Sequence, residues 1–180
     1  MGKVVVLEYD ANWPDLFQSL RARIWPVVSD VAISVEHVGS TSVPGLSAKP
    51  VIDLDVVVRE KLIQAGIARL EGIGYGHRGD LGVAGREAFR SPLGTPPHHL
   101  YLCQQGSPAL ANHVAIRDYL RANPAAARAY GDLKKRLAAQ FPDDIDGYIE
   151  GKTAFLVGIL RTVGFPEDIL SDIERMNRRP

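Results

Sequence analysis

One cysteine, Cys103, is all that this chain of 180 residues offers to disulfide chemistry. No internal bridge staples it, and a reducing, cytoplasmic setting is expected. Net charge is absent as well, because 21 Lys and Arg balance 21 Asp and Glu. A neutral chain projects no overall field, so neither nucleic acid nor an anionic membrane is an expected partner. No apolar segment approaches the roughly 18 residues of a membrane span. Lys3-Val-Val-Val-Leu7 is too short for a secretory signal and runs at once into Glu8 and Asp10. Internal repeats and low-complexity runs are missing too. What remains is an ordinary globular composition, 46% hydrophobic and 23% charged. A chain of this length buries about 70% of its unfolded surface as one domain.

The pattern along the chain is mixed at first and helical afterwards. Residues 4–7 read as a short extended segment. Asn12 is placed to cap a helix that has Pro14 and Asp15 in its first turn and Phe17, Leu20 and Ile24 as its apolar stripe. Pro26 is expected to end or kink that helix. Residues 31–38 read as a strand, and the stretch from Thr41 to Pro50 as a loop or one helical turn. Leu62, Ile63, Ile67 and Leu70 have helical spacing. Five glycines between Gly74 and Gly85 predict short strands or a hairpin, and residues 98–103 a core strand. From Pro108 onward the stripes are helical: Ala109, His113, Ile116 and Leu120, then Ala126, Tyr130, Leu133 and Leu137, then Ile145, Ile149, Lys152 and Leu156. The reading is one domain over 1–180, an α/β core to about residue 105 and a helical part over 108–180.

The chemistry concentrates in Val35-Glu-His-Val-Gly-Ser-Thr-Ser-Val-Pro-Gly-Leu-Ser-Ala-Lys-Pro-Val-Ile-Asp-Leu-Asp-Val-Val-Val58. In its second half Asp53 and Asp55 point to one face of a strand, Ile52, Leu54 and Val56 to the other. Unpaired acids are costly on an apolar strand, yet two carboxylates spaced this way can share a hard divalent cation. Upstream, Gly39-Ser40-Thr41-Ser42 leaves another strand with small residues and exposed backbone donors, a turn that lets a phosphate approach closely.

A Gly-Ser turn followed by Asp-x-Asp on the next strand resembles the nucleotidyltransferase superfamily. The run from His37 to Asp53 is similar to the GrpB family in particular. Tyr9-Asp-Ala-Asn-Trp-Pro, His98-His-Leu, Ile116-Arg-Asp-Tyr-Leu-Arg, Tyr130-Gly-Asp-Leu-Lys and Tyr148-Ile-Glu-Gly-Lys extend the likeness. The resemblance implies an α/β (α+β) fold: a nucleotidyltransferase-like mixed β-sheet, flanking helices and a C-terminal helical layer. It implies transfer of a nucleotidyl group from an NTP to an unknown small-molecule or protein acceptor, with Mg²⁺ or Mn²⁺ as cofactor. Asp53 and Asp55 would hold the metal and, with Lys152, form the catalytic set. Gly39, Ser40, Thr41, Ser42, Lys49 and Arg86 would bind the phosphates. The alternative is a non-catalytic module of the same fold that binds a nucleotide or a coenzyme A precursor.

Other residues admit two readings each. Lys49 either reaches a phosphate or is solvated in its loop, and Arg86 and Arg90 either contact phosphate or cover a hairpin face. Lys152 stands on an apolar stripe beside Tyr148, where it either snorkels to water or reaches an anion across a cleft. His98 and His99 are adjacent on a strand and face opposite ways, so they do not share a metal. One of them is expected to face the cleft. His113 reads as a hydrogen-bonded core histidine, and His37 as orienting the turn behind Ser40. A transferase of this kind usually draws a third carboxylate from a later strand, but residues 98–103 contain no acid and carry Tyr101 where the family tends to have histidine. Glu87 on the preceding hairpin is a possible substitute; otherwise a histidine lines that side.

Overall fold

The structure, a computed structural model, describes residues 3–178, so Arg179 lies outside the described residues. The chain gathers into two compact units. A sheet unit takes Ala11–Ser42 and Val51–Val114, and a helical unit takes the residues up to Asp10, Val43–Pro50, and the chain from Ala115 on.

The sheet unit opens with α1, Trp13–Val28. Asn12 occupies the N-cap position, but its side chain makes no capping hydrogen bond. Pro26 neither ends the helix nor stands outside it. Leu20, Ile24 and Val28 are all buried, and this packing carries α1 past the proline despite the lost N–H. The strands follow as β1 (Ala32–Val38), β2 (Ile52–Val58), β3 (Gly76–His77), β4 (Arg86–Arg90) and β5 (His98–Gln104), with helix α2 (Ile63–Glu71) after β2. They form one mixed sheet in the order β1-β2-β5-β4-β3. The central β2 and β5 run parallel, and every other pair is antiparallel.

The two sheet faces have different chemistry because side chains alternate along each strand. One face carries Leu54, Val56, Leu100 and Leu102, all fully buried. Phe17 of α1 stacks on His37 of this face at 4.6 Å, and Gly66 of α2 packs against Leu102. The opposite face is read from the register. Asp53 stands opposite Val38 on β1 and His99 on β5; Asp55 stands opposite Glu36 and Tyr101. On β4, Arg86 pairs with Cys103 and Ala88 with Tyr101, which puts both on this second face.

The helical unit contains α4 (Pro124–Gln140), α5 (Ile145–Thr162) and α6 (Glu167–Asn177). The boundary between the units falls inside α3, Pro108–Ala122. Asp144 caps α5 by accepting from the Gly147 N–H at 2.9 Å. Two remote pieces of chain are sewn in. Leu7 and Ala48 exchange both backbone hydrogen bonds at 2.9 Å, and Glu8 accepts from Ser47 and pairs with Lys135. Val43 and Leu46 are buried with Leu120, Ala127, Tyr130 and Ile159. Among the described residues no helix is long and apolar enough to cross a membrane.

Candidate functional site

The site is built where β1 turns toward β2. Gly39 has φ +68°, and a Cβ placed on it would stand 2.1 Å from Asp53 Oδ2. Only glycine serves there, because the Asp53 carboxylate occupies the space that any side chain needs. Ser40–Ser42 then winds one tight turn, and the Ser42 hydroxyl donates to Gly39 O at 2.6 Å. His37 braces this turn from behind, with Nε2 and Thr41 Oγ1 hydrogen-bonded at 3.0 Å. Thr41 and Ser42 are buried, so their hydroxyls serve the turn.

Each aspartate is held by one histidine. His99 Nδ1 meets Asp53 Oδ1 at 2.9 Å, and His113 Nδ1, on α3, meets Asp55 Oδ2 at 2.8 Å. The two acids differ in access: the Asp53 side chain is 28% exposed, that of Asp55 0%. Asp55 Oδ1 is buried without a hydrogen-bond partner, and the Cys103 thiol lies against the same carboxylate. Burial first, and the Asp55 charge next, push that thiol far up, so it stays protonated. Tyr101 follows the same logic: burial raises its phenol, and Asp53 and Asp55 raise it further against the lowering effect of Arg86. The Arg86 guanidinium stands 4.4 Å from the Tyr101 ring centroid, a cation–π arrangement, and its Nε is buried without a partner.

Several expected residues are placed elsewhere. Glu87 pairs with Leu102 in the register and lies on the face opposite the aspartates, where His77 Nε2 meets it at 2.7 Å. It is therefore not the third carboxylate. His98 is buried on that same opposite face among Tyr75, Ser91 and Pro96 and is not a cleft residue. His37 likewise lies on that face, behind the turn. No acid on β5 accompanies Asp53 and Asp55; His99 lines that side. Lys49, Tyr148 and Lys152 belong to the helical unit. There Tyr148 is buried, which pushes its phenol up to about 12, and Lys152 Nζ stands 5.2 Å from the Tyr148 ring centroid. His113 is hydrogen-bonded, as expected of it, but the identity of its partner, Asp55, is what sequence reasoning missed. Its helical spacing with Ala109 and Ile116 marks a packed face, and nothing local to it signals an aspartate.

The buried His98 carries a testable pH dependence. Burial lowers its pKa from the ordinary 6.5, because the charged ring loses its water. The unfolded chain then binds a proton more readily than the folded one, so this contribution is present above about pH 6.5 and is lost as pH falls toward the folded value. Stability should decline on acidification through that window, with the His98 ring resonances titrating below 6.5. A ring titrating at 6.5 or higher by NMR would contradict this.

The residues suit one kind of metal site better than another. Among the described residues no group of three or more His, Cys, Asp or Glu is arranged to hold an ion, so a closed resident site of the zinc type does not fit. A Mg²⁺ that arrives on phosphates needs only one or two carboxylates from the protein. Asp53 and Asp55 fit that case: Asp53 is accessible, and the bare Oδ1 of Asp55 is a covered anionic oxygen that a cation would satisfy.

The family described as GrpB protein matches the chain over residues 3–162. UPF0157 protein YqkA of Bacillus subtilis (strain 168) is 38% identical over 155 residues; these cover 86% of this chain and 45% of YqkA, so the chain spans under half that relative's length. The crystal structure of conserved protein GrpB from Enterococcus faecalis superposes with a TM-score of 0.78 at 36% identity, covering 93% of this chain and 98% of that one. The Cid1 poly(U) polymerase in its MgGTP-bound form has a TM-score of 0.51 at 12% identity, over 75% of this chain and 46% of its own, a likeness of fold alone. The fold is thus of the nucleotidyltransferase type, and the chain belongs to the GrpB family.

Proposed function

We propose that the protein is a metal-dependent nucleotidyltransferase, moving a nucleotidyl group from an NTP to an acceptor that carries a nucleophilic hydroxyl. One observation carries this reading: the Asp53 carboxylate is packed into the space opened by Gly39, on the same face as a fully covered Asp55 with one bare oxygen. That arrangement juxtaposes phosphate donors with metal-holding acids. The backbone N–H groups of Gly39 and Ser40 would receive the triphosphate, and Arg86 on the same face would offset its charge. Mg²⁺ or Mn²⁺, held by Asp53 and Asp55, would supply charge neutralisation at the transferring phosphate. His99 donates Nδ1–H to Asp53, which leaves Nε2 as the nitrogen that accepts a proton from the acceptor hydroxyl. Its side chain is 54% exposed, so an acceptor can reach it. Ligand binding without turnover is the second reading, favoured by the lack of any acid on β5.

Nucleotide affinity should depend on metal and on Asp53 together. A triphosphate beside a carboxylate at roughly 4 Å meets about 4 kcal/mol of repulsion per unit-charge pair at an effective dielectric near 20. Calorimetric titration of ATP into wild type and Asp53→Asn, with Mg²⁺ and with chelator, is the test. Tight binding is expected only for wild type with Mg²⁺. Equal affinity in all four titrations would reject the site. Detecting nucleotidyl product separates transfer from binding alone.

A further inference from the structure

We infer that Arg86, braced on Tyr101, seats a second anion besides the triphosphate: an oxyanion carried by the acceptor. The inference rests on the transferase reading and adds the chemical class of the acceptor. Levels along the sheet separate the two anions. Val38 stands level with Asp53 and His99, so the Gly39-Ser40 turn opens at that end of the face. Asp55 and Tyr101 come next, and Val57, Cys103 and Arg86 share the level beyond them. Four residues of strand separate the backbone levels of Asp53 and Arg86, about 13 Å. The Arg86 side chain reaches back only as far as the Tyr101 ring, which is level with Asp55. The turn and the guanidinium thus stand at opposite ends of the aspartate pair. A triphosphate seated on the turn feels Arg86 as a distant charge and leaves its donors to the second substrate.

The surroundings of Arg86 are built to hold it there. Gly85 has φ +74°, and a Cβ on it would stand 2.6 Å from Ser107 Cβ, while its carbonyl accepts from the Gln104 N–H at 2.8 Å. Tyr101 is flanked by His99 and His113, with ring centroids at 6.4 and 5.8 Å, so the ring under the guanidinium is itself packed in place. A guanidinium lying on an aromatic face keeps the N–H groups of its edge for a forked contact with an oxyanion. Among the described residues Arg86 makes no ion pair with a carboxylate, although two aspartates share its face. Its Nε is buried without a hydrogen-bond partner, whereas its two terminal nitrogens are not enclosed. A half-covered cation left in that state calls for an anion. Arg90, on the same strand, differs: it lies across Gly76 at the sheet edge.

The test uses the full chain saturated with Mg²⁺ and a non-hydrolysable ATP analogue. Inorganic phosphate and acetate are the probes, each followed by NMR line broadening. One of them is expected to bind the nucleotide-loaded protein, phosphate marking a phosphorylated acceptor and acetate a carboxylate one. Arg86→Gln should weaken that probe at least about tenfold, and Arg86→Lys by less, because lysine keeps the charge and loses the fork. Tyr101→Leu removes the ring and should weaken it severalfold, Tyr101→Phe should not, and Arg90→Gln should leave it unchanged. Nucleotide affinity in Arg86→Gln should fall by about threefold at most, since only a distant charge is lost. A probe displaced by the nucleotide, or a nucleotide weakened as much as the probe, assigns Arg86 to the triphosphate and overturns the inference. So does a loaded protein that binds neither probe, or a probe that binds both Arg86 variants as it binds wild type. Wild type that binds no nucleotide with Mg²⁺ rejects the transferase reading itself, and the acceptor with it.

Discussion

Gly39→Ala is expected to destabilise the protein by at least about 2 kcal/mol and to abolish metal-dependent nucleotide binding. Two effects add. The backbone sits at φ +68°, where an L side chain is strained, and the new Cβ meets Asp53 Oδ2 at 2.1 Å and Asp53 Cγ at 2.8 Å. The carboxylate cannot yield easily, because His99 holds its other oxygen and β2 is central in the sheet. Gly45 provides the control. It has φ +77° but nothing within 4 Å of a built Cβ, so Gly45→Ala should cost only the backbone strain, about 1 kcal/mol. Urea denaturation of both variants, with calorimetry of Mg²⁺-ATP binding, measures the difference. Equal destabilisation of the two would mean that Asp53 moves aside without cost and that the turn does not position it.

His113→Ala is the second large effect, about 2–4 kcal/mol of destabilisation. Asp55 lies wholly covered, and His113 Nδ1 hydrogen-bonds its Oδ2 at 2.8 Å. Without the ring, a buried acid keeps its desolvation cost and loses its donor. The loss should shrink by at least about 1 kcal/mol in an Asp55→Asn background, where no charge is stranded. Chemical denaturation of the four proteins in this double-mutant cycle tests it. A His113→Ala variant within about 0.5 kcal/mol of wild type would show that Asp55 is satisfied by other means.

Much of this site is legible in the sequence, and the limits of legibility have physical causes. The spacing of Asp53 and Asp55 fixes their common face, because strand alternation is local. The same rule separates His98 from His99. Glu87 could not be assigned that way: its face depends on a hairpin register inside a glycine-rich stretch, and a slip of one residue inverts every side chain. The partner of His113 was hidden for a related reason. Asp55 lies 58 positions away, and only the tertiary fold joins the two. Pro26 shows packing overriding local preference, since Ile24 and Val28 are buried on either side of it. The fold type followed from the Gly-Ser and Asp-x-Asp signature more than from any element boundary.

The interleaving of the two units bears on how such a chain can be lost or remodelled. The helical unit takes two short stretches from within the first 50 residues, where Val43 and Leu46 are buried among partners that lie beyond residue 115. A premature stop after Val114 would leave these apolar side chains, and Ala48 paired with Leu7, without the helices that cover them. Neither half can therefore be shed or transplanted by a single break in the gene. The Gly-Ser turn that meets Asp53 is followed at once by Val43 and Leu46, so a lesion that removes the helices also unmoors one end of that turn.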